Sequence, residues 1–192
     1  MRELSTARYG PLAQALIERA RREGRPGALA FGPPAADVRG ELASMSAENL
    51  SPGKRVRMPQ DFECLKAALW LRYDFMAESH AISQGTATPS GSYWHAILHR
   101  REPDASNARY WFSRVGEHPV FAGLSLEAKE IVGPQPPEAL KPLLAHDAWD
   151  PDEFVKLCTS SQEGVATQCL LELQRREWEL LFDYNYTKAF AR

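Results

Sequence analysis

Cysteine is scarce in this chain, and the positions of the cysteines argue against disulfide bonds and against a cysteine zinc site. Only three cysteines occur in 192 residues, at Cys64, Cys158 and Cys169, and no two of them form a C-x-x-C pair. An odd number of widely spaced cysteines argues against a disulfide framework and against a cysteine zinc site. A chain of 192 residues, of which 44% are hydrophobic, can bury a stable core without disulfides or structural metal ions.

An excess of charge of one sign and a long apolar run are also missing. Lys and Arg number 23 against 25 Asp and Glu, so the net charge is −2. This balance lacks the basic footprint of a nucleic-acid binder, and we expect no nucleic-acid partner. No apolar run approaches the ~18 residues of a membrane helix, and the first residues lack the apolar core of a signal peptide. We therefore expect a soluble, cytoplasmic protein without membrane contact.

Strand signals and nucleotide-binding loops are absent too. The sequence contains no alternating β-branched run and no Asn-Gly hairpin. It has no G-x-x-x-x-G-K-[ST], G-x-G-x-x-G or G-x-S-x-G motif. These absences, with the helical spacing described next, predict an all-α fold: a compact multi-helix bundle or array.

Apolar residues at helical spacing do occur, separated by Gly- and Pro-rich segments. The strongest predicted helix runs from Pro59 to about Gln84, and shorter ones cover Pro11–Arg22, Ser92–Arg101 and Ser106–Val115. A long final helix is predicted over roughly Gln162–Phe182. We expect a single helical domain over 1–192: a loop-rich part (1–58), central helices with a hairpin (59–132), and C-terminal helices (133–192).

Three polar residues share one line on the predicted helix that follows Ser92. His95, His99 and Glu102 are spaced i, i+4, i+7, so their side chains stack along one edge. Two histidines four residues apart can bind one metal ion, and a carboxylate one turn on can supply a third ligand. The sequence therefore offers His95, His99 and Glu102 as candidate ligands of a divalent metal ion. The alternative is a polar stripe, or histidines bonded to a neighbouring helix.

Two further residues extend this candidate site. His80 continues the apolar stripe of its predicted helix, and the short connection to the next helix predicts antiparallel neighbours, which brings His80 near His95. Arg101 lies in the apolar face that contains Leu98, and Arg72 borders the stripe of its own helix. Each arginine would form a buried ion pair, with Glu78, Asp104 or Glu102 as partner, or would bind an anionic ligand.

Two stretches resemble known patterns. The segment Leu98–Pro119, L-H-R-R-E-P-D-A-S-N-A-R-Y-W-F-S-R-V-G-E-H-P, resembles one tetratricopeptide-type hairpin, without a second copy at the ~34-residue period of that repeat. The block Tyr93–Phe121, with F-E-C-L-K-A-A-L-W-L and E-S-H upstream, is similar to a family of uncharacterised helical proteins. This similarity implies a helical fold and no particular activity.

The dipeptide His146-Asp147 also suggests a histidine-aspartate phosphohydrolase, although no downstream Asp completes that pattern.

These observations favour a polar pocket between central helices that binds a small ligand or a metal ion. His80, His95, His99, Arg101 and Glu102 are its candidate residues, and in an enzyme a histidine would act as ligand or general base. The alternative is a helical protein-interaction module in which the same residues are structural. The sequence identifies neither the small molecule or protein partner nor the oligomeric state.

Overall fold

The computed structural model describes residues 5–160 and 163–190, and in these residues the chain is all-α, as predicted. No strand occurs in either described range. The α-helices, in chain order, are α1 (Pro11–Arg22), α2 (Arg39–Ala43), α3 (Ala47–Leu50), α4 (Pro59–Arg72), α5 (Met76–Gly85), α6 (Pro89–Arg101), α7 (Ala105–Val115), α8 (Val120–Val132), α9 (Pro151–Thr159) and α10 (Gly164–Phe190). Within these ranges, no helix has both the length and the apolar character needed to cross a membrane.

The helix predicted from Pro59 to Gln84 is in fact two helices, α4 and α5. The chain breaks at Tyr73–Phe75, where Asp74 adopts a left-handed backbone conformation with φ of 66°. The two helices form a hairpin in which the Ser79 hydroxyl donates to the Ala67 carbonyl at 3.0 Å. The prediction of one continuous helix was wrong because neither Gly nor Pro marks the break.

A tertiary contact from α6 stabilises this break. The Arg101 guanidinium donates to the Leu71 carbonyl at 2.7 Å, which satisfies a carbonyl at the end of α4. It also pairs with the Asp74 carboxylate at 2.5 Å. Arg101 was expected to pair with Glu78, Asp104 or Glu102, and this prediction was wrong because Asp74 is turned inward only by the break.

Helix α6 is the most enclosed element, because every residue from Ser90 to Arg101 is buried. It begins three residues earlier than predicted: Pro89 is its first residue, and the Thr88 hydroxyl caps it by accepting from the Gly91 amide at 3.0 Å. A Cβ atom on Gly91 would lie 2.0 Å from the Thr86 carbonyl oxygen. The absence of a side chain at Gly91 therefore allows the α5–α6 turn to pack against the start of α6.

Helix α10 packs along α4 and α8 and is joined to the centre by buried polar contacts. Glu177 forms an ion pair with Arg100 of α6, and both side chains are fully buried. Trp94 of α6 donates to Asn185 at 2.8 Å, and Trp178 donates to the Ala68 carbonyl at 2.9 Å. The C-terminal helix was predicted correctly but extends further, to Phe190; its predicted first residue, Gln162, lies outside the described residues.

Candidate metal centre

The packing of α5 against α6 brings three histidines together. His80 comes from α5, and His95 and His99 come from α6, one turn apart. One ligand nitrogen from each can be chosen so that the three atoms lie within 4.8 Å of one another. The expectation that an antiparallel connection would place His80 beside His95 agrees with this arrangement: the two ring centroids are 4.5 Å apart.

The two histidines of α6 face each other through the same type of ring nitrogen. Nε2 of His95 and Nε2 of His99 are 3.0 Å apart. Both residues are buried, with exposed fractions of 1% and 6%. Burial, with added repulsion from His99 and His80, lowers the pKa of His95 from 6.5 to about 4, so its ring is neutral at neutral pH.

The other nitrogen of each ring is held by a neighbouring side chain. Nδ1 of His99 lies 2.9 Å from the Glu102 carboxylate, and because an ionised carboxylate only accepts hydrogen bonds, this nitrogen carries the proton. Nδ1 of His95 lies 3.0 Å from the Ser83 hydroxyl. The hydroxyl is also 3.4 Å from the His80 carbonyl, to which it can donate when it accepts from His95.

These contacts allow two hydrogen-bonding states. In the first, Ser83 donates to His95, and Nε2–H of His95 donates to Nε2 of His99. In the second, Ser83 rotates its proton towards the His80 carbonyl and accepts from His95, which leaves a lone pair on both Nε2 atoms. Two lone pairs 3.0 Å apart repel each other unless a cation lies between them. The second state therefore has the protonation that two metal-binding imidazoles require.

His99, Glu102 and Asp104 form a second group of possible metal ligands, and Glu102 lies on the Nδ1 side of the His99 ring. Asp104 is already engaged as the cap of α7, accepting from the Asn107 amide at 3.0 Å and from its side chain at 2.9 Å. Glu102 is 41% exposed. Because Glu102 holds the nitrogen opposite the His95–His99 contact, it is placed to orient His99 when Nε2 binds the ion.

Arg101 lies apart from the histidine cluster. Its contacts are with Leu71, Asp74 and the Ala30 carbonyl, on the side of α6 that faces α4. It lines a separate cavity of about 380 Å³ with Asp74, Arg25 and Glu23. The geometry thus brings together four of the five candidate residues, His80, His95, His99 and Glu102, and gives Arg101 a different environment.

Two contributors to the cluster escaped sequence reasoning. Ser83 lies one turn after His80, at the i+3 spacing, and this spacing was an available signal. Trp111 of α7 packs its ring against His95, with 4.2 Å between the ring centroids. No sequence signal distinguishes a tryptophan that covers a histidine from one that fills the core.

Another buried histidine pairs with a serine but is not a catalytic dyad. Nε2 of His118 lies 3.2 Å from the Ser90 hydroxyl, and Nδ1 accepts from the Val120 amide at 3.3 Å. Since a backbone amide always donates, Nδ1 is unprotonated and Nε2 carries the proton. His118 therefore donates to Ser90 and cannot take its proton. His146 and Asp147 are exposed, and Asp147 pairs with Lys129, outside any metal-ligand group found in the described residues.

The fold thus defines an all-α protein with a histidine cluster between α5, α6 and α7. Comparison with known proteins returned no match to a protein-family model, a curated protein or a solved structure.

Proposed function

We propose that this protein binds one divalent transition-metal ion, with zinc as the best fit, through His80, His95 and His99. The observation that carries the proposal is the pair of Nε2 atoms 3.0 Å apart, each on a ring whose other nitrogen is held by a side chain. Metal-binding histidines usually bond through their second nitrogen to a carboxylate or another polar group, which fixes the ring orientation.

The distances suit a metal ion. For Zn–N bonds of about 2.0–2.1 Å, two nitrogens lie about 3.3 Å apart at a tetrahedral angle and about 2.9 Å apart at a right angle. The His95–His99 distance falls between these values. The ring of His80 makes no hydrogen bond with a described residue and is only partly buried, so a small rotation can bring its nitrogen into the coordination sphere.

Three histidines leave one position of a tetrahedral ion open. A zinc ion with three protein ligands binds water or another ligand in the fourth position and lowers the pKa of bound water to about 7. In this proposal, Glu102 orients His99 rather than acting as a direct ligand. Arg101 belongs to the ion pair with Asp74 and takes no part in metal binding.

The test is a zinc titration of full-length protein stripped of metal on a chelating resin. Calorimetry should show one zinc per chain, and His99→Ala should reduce the affinity at least 100-fold while the circular dichroism spectrum stays helical. His146→Ala, which removes an exposed histidine outside the cluster, should bind zinc as the wild type does. Equal zinc affinity in the wild type and His99→Ala would contradict the proposal.

Glu102→Gln tests the orienting role separately. Replacing a carboxylate that orients a metal-bound histidine lowers metal affinity by roughly 10–100-fold. We expect this loss with one zinc still bound and with no change of melting temperature in the metal-free protein. Unchanged zinc affinity would show that the Glu102 contact has no role in binding.

The second candidate is a protein-interaction module, as the single tetratricopeptide-like hairpin suggests. It is supported by Leu126 of α8 and Val165 of α10, which are 69% and 63% exposed on two helices that pack together. This alternative predicts that zinc has no effect on the melting temperature, whereas a zinc site raises it in proportion to its occupancy.

A further inference from the structure

A cavity of about 470 Å³ lies beside the histidine cluster, where α5 ends and α6 begins. Its walls include Gln84, Thr86, Thr88, Ser92, Trp111 and Arg114. It adjoins the cluster through Trp111, which packs on His95, and through Ser92, which lies one turn before His95 on α6. The polar line of α6 thus continues from the histidines into the cavity.

The charge of this cavity is positive. Among the described residues of its lining, Arg114 is the ionisable one, and none is a carboxylate. The Arg114 guanidinium lies near the rings of Tyr110 and Trp111 and donates to the Tyr110 hydroxyl at 3.4 Å. It pairs with no carboxylate among residues 5–160 and 163–190.

A hydroxyl without a protein partner also lines the cavity. Ser92 is only 7% exposed, and its side chain makes no hydrogen bond with any described residue. Because this hydroxyl borders the cavity, it can donate to a ligand or water bound there. Thr88, Pro89 and Ser92, at the start of α6, all line the cavity, and the partial positive charge of the helix dipole at that end favours an anion.

From these features we infer that the cavity is a binding subsite for a small oxyanion, a carboxylate or a phosphate group, held by Arg114 and Ser92. Arg114 supplies the charge and a planar pair of donors, Ser92 supplies a hydroxyl donor, and Trp111 covers the apolar part of the ligand. The idea that a ligand bound in this subsite also reaches the metal centre rests on the proposed function. Binding of the anion itself does not.

The test follows the indole N–H signals of ¹⁵N-labelled, full-length protein without metal. The chain has five tryptophans, and Trp111→Phe assigns the signal that reports on the cavity. Metal is removed on a chelating resin rather than with a soluble chelator, because a soluble polycarboxylate would compete for the subsite. The probes are succinate, inorganic phosphate and neutral succinamide.

We expect succinate or phosphate, but not succinamide, to shift the Trp111 signal saturably and to leave the other indole signals in place. The stronger of the two anions identifies the carboxylate or the phosphate as the preferred group. Arg114→Gln should weaken binding by at least about tenfold, the ordinary effect of losing a hydrogen bond to a charged group. Arg109→Gln, an exposed arginine of the same helix outside the cavity, should bind as the wild type does.

Ser92→Ala should also weaken anion binding, with an unchanged helical spectrum. The His99→Ala variant should retain anion binding, which separates failure of the metal site from failure of this subsite. The absence of a saturable Trp111 shift with either anion would overturn the inference. Equal affinities for the anion in Arg114→Gln and the wild type would overturn it as well.

Discussion

Arg101 and Arg72 are both buried, but their surroundings differ. Arg101 holds the Asp74 carboxylate, with exposed side-chain fractions of 2% and 5%. The Arg72 guanidinium lies 4.9 Å from the centre of the Trp178 ring, and its Nε and Nη1 have no hydrogen-bond partner among the residues that the structure describes. Burial lowers the pKa of Arg72 to about 10, because few contacts offset the cost of removing its charge from water.

We predict that replacing these two arginines by methionine has different effects on the free energy of unfolding. Arg101→Met leaves a buried carboxylate with one fewer cation and should lower the free energy of unfolding by about 3 kcal/mol. Arg25, 2.9 Å from Asp74, limits the loss. Arg72→Met leaves no carboxylate behind and should change stability by less than about 1 kcal/mol, or increase it. Urea unfolding of both variants measures the difference, and equal losses would contradict this account.

For single residues, the sequence identified the buried polar side chains better than it identified the side chains that they contact. The helical spacing placed Arg101 in an apolar face of its helix and His95 and His99 along another edge, and in the structure Arg101 contacts α4 while the two histidines lie beside His80 of α5. It missed that Arg100, the next residue, is also fully buried and pairs with Glu177. Partners such as Asp74 and Glu177 lie 27 and 77 residues away in the chain, so local spacing carries no information about them.

The turn between α5 and α6 is the element that sets the geometry of the histidine cluster. It holds His80 of α5 opposite His95 of α6, and it depends on the close approach of Thr86 to Gly91. Gly85, at the end of α5, has open space around the position of a Cβ atom. The two glycines therefore form a natural pair for comparison.

We predict that Gly91→Ala lowers the free energy of unfolding by about 1–3 kcal/mol, because the new methyl group overlaps the Thr86 carbonyl. It should also weaken zinc binding, since the turn must shift. Gly85→Ala should leave stability unchanged or slightly raised, because alanine favours the helical conformation. If thermal unfolding shows equal effects for the two variants, the turn is not tightly packed.

Helix boundaries were predictable where capping residues mark them. Helix α9 begins with an Asp150 cap followed by Pro151, and α7 ends at Gly116, the residue types that favour such boundaries. The break between α4 and α5 was not predictable, because its left-handed residue is Asp74 rather than Gly, and the contact that stabilises it comes from Arg101, 27 residues further along the chain. The start of α6 was misplaced because Thr88-Pro89 is also a cap, and Ser90 and Ser92 compete with it in sequence.

For the whole molecule, burial of a neutral histidine makes stability depend on pH. His118 is enclosed by Tyr93, Phe121 and Tyr184, and burial lowers its pKa from 6.5 to about 4. As pH falls below about 6.5, the unfolded chain takes up a proton that the folded chain does not. The stabilising contribution is therefore complete above pH 6.5 and is lost as pH falls towards 4.

We predict that metal-free protein loses about 2 kcal/mol of stability through His118 between pH 7 and pH 4.5. His118→Gln should remove this part of the pH dependence, whereas exposed His146→Gln should not. Urea unfolding at the two pH values gives the comparison. A His118→Gln variant with the same loss as the wild type would show that His118 is not the group responsible.

A crystal structure of the zinc-loaded protein, with diffraction recorded at the zinc absorption edge, tests whether His80, His95 and His99 converge on one metal ion. We expect one anomalous peak about 2.0–2.1 Å from a ring nitrogen of each histidine. We also expect Ser83 and Glu102 to remain in contact with Nδ1 of His95 and His99. A structure with no peak at the cluster, in which the two Nε2 atoms keep their direct contact, would contradict this expectation.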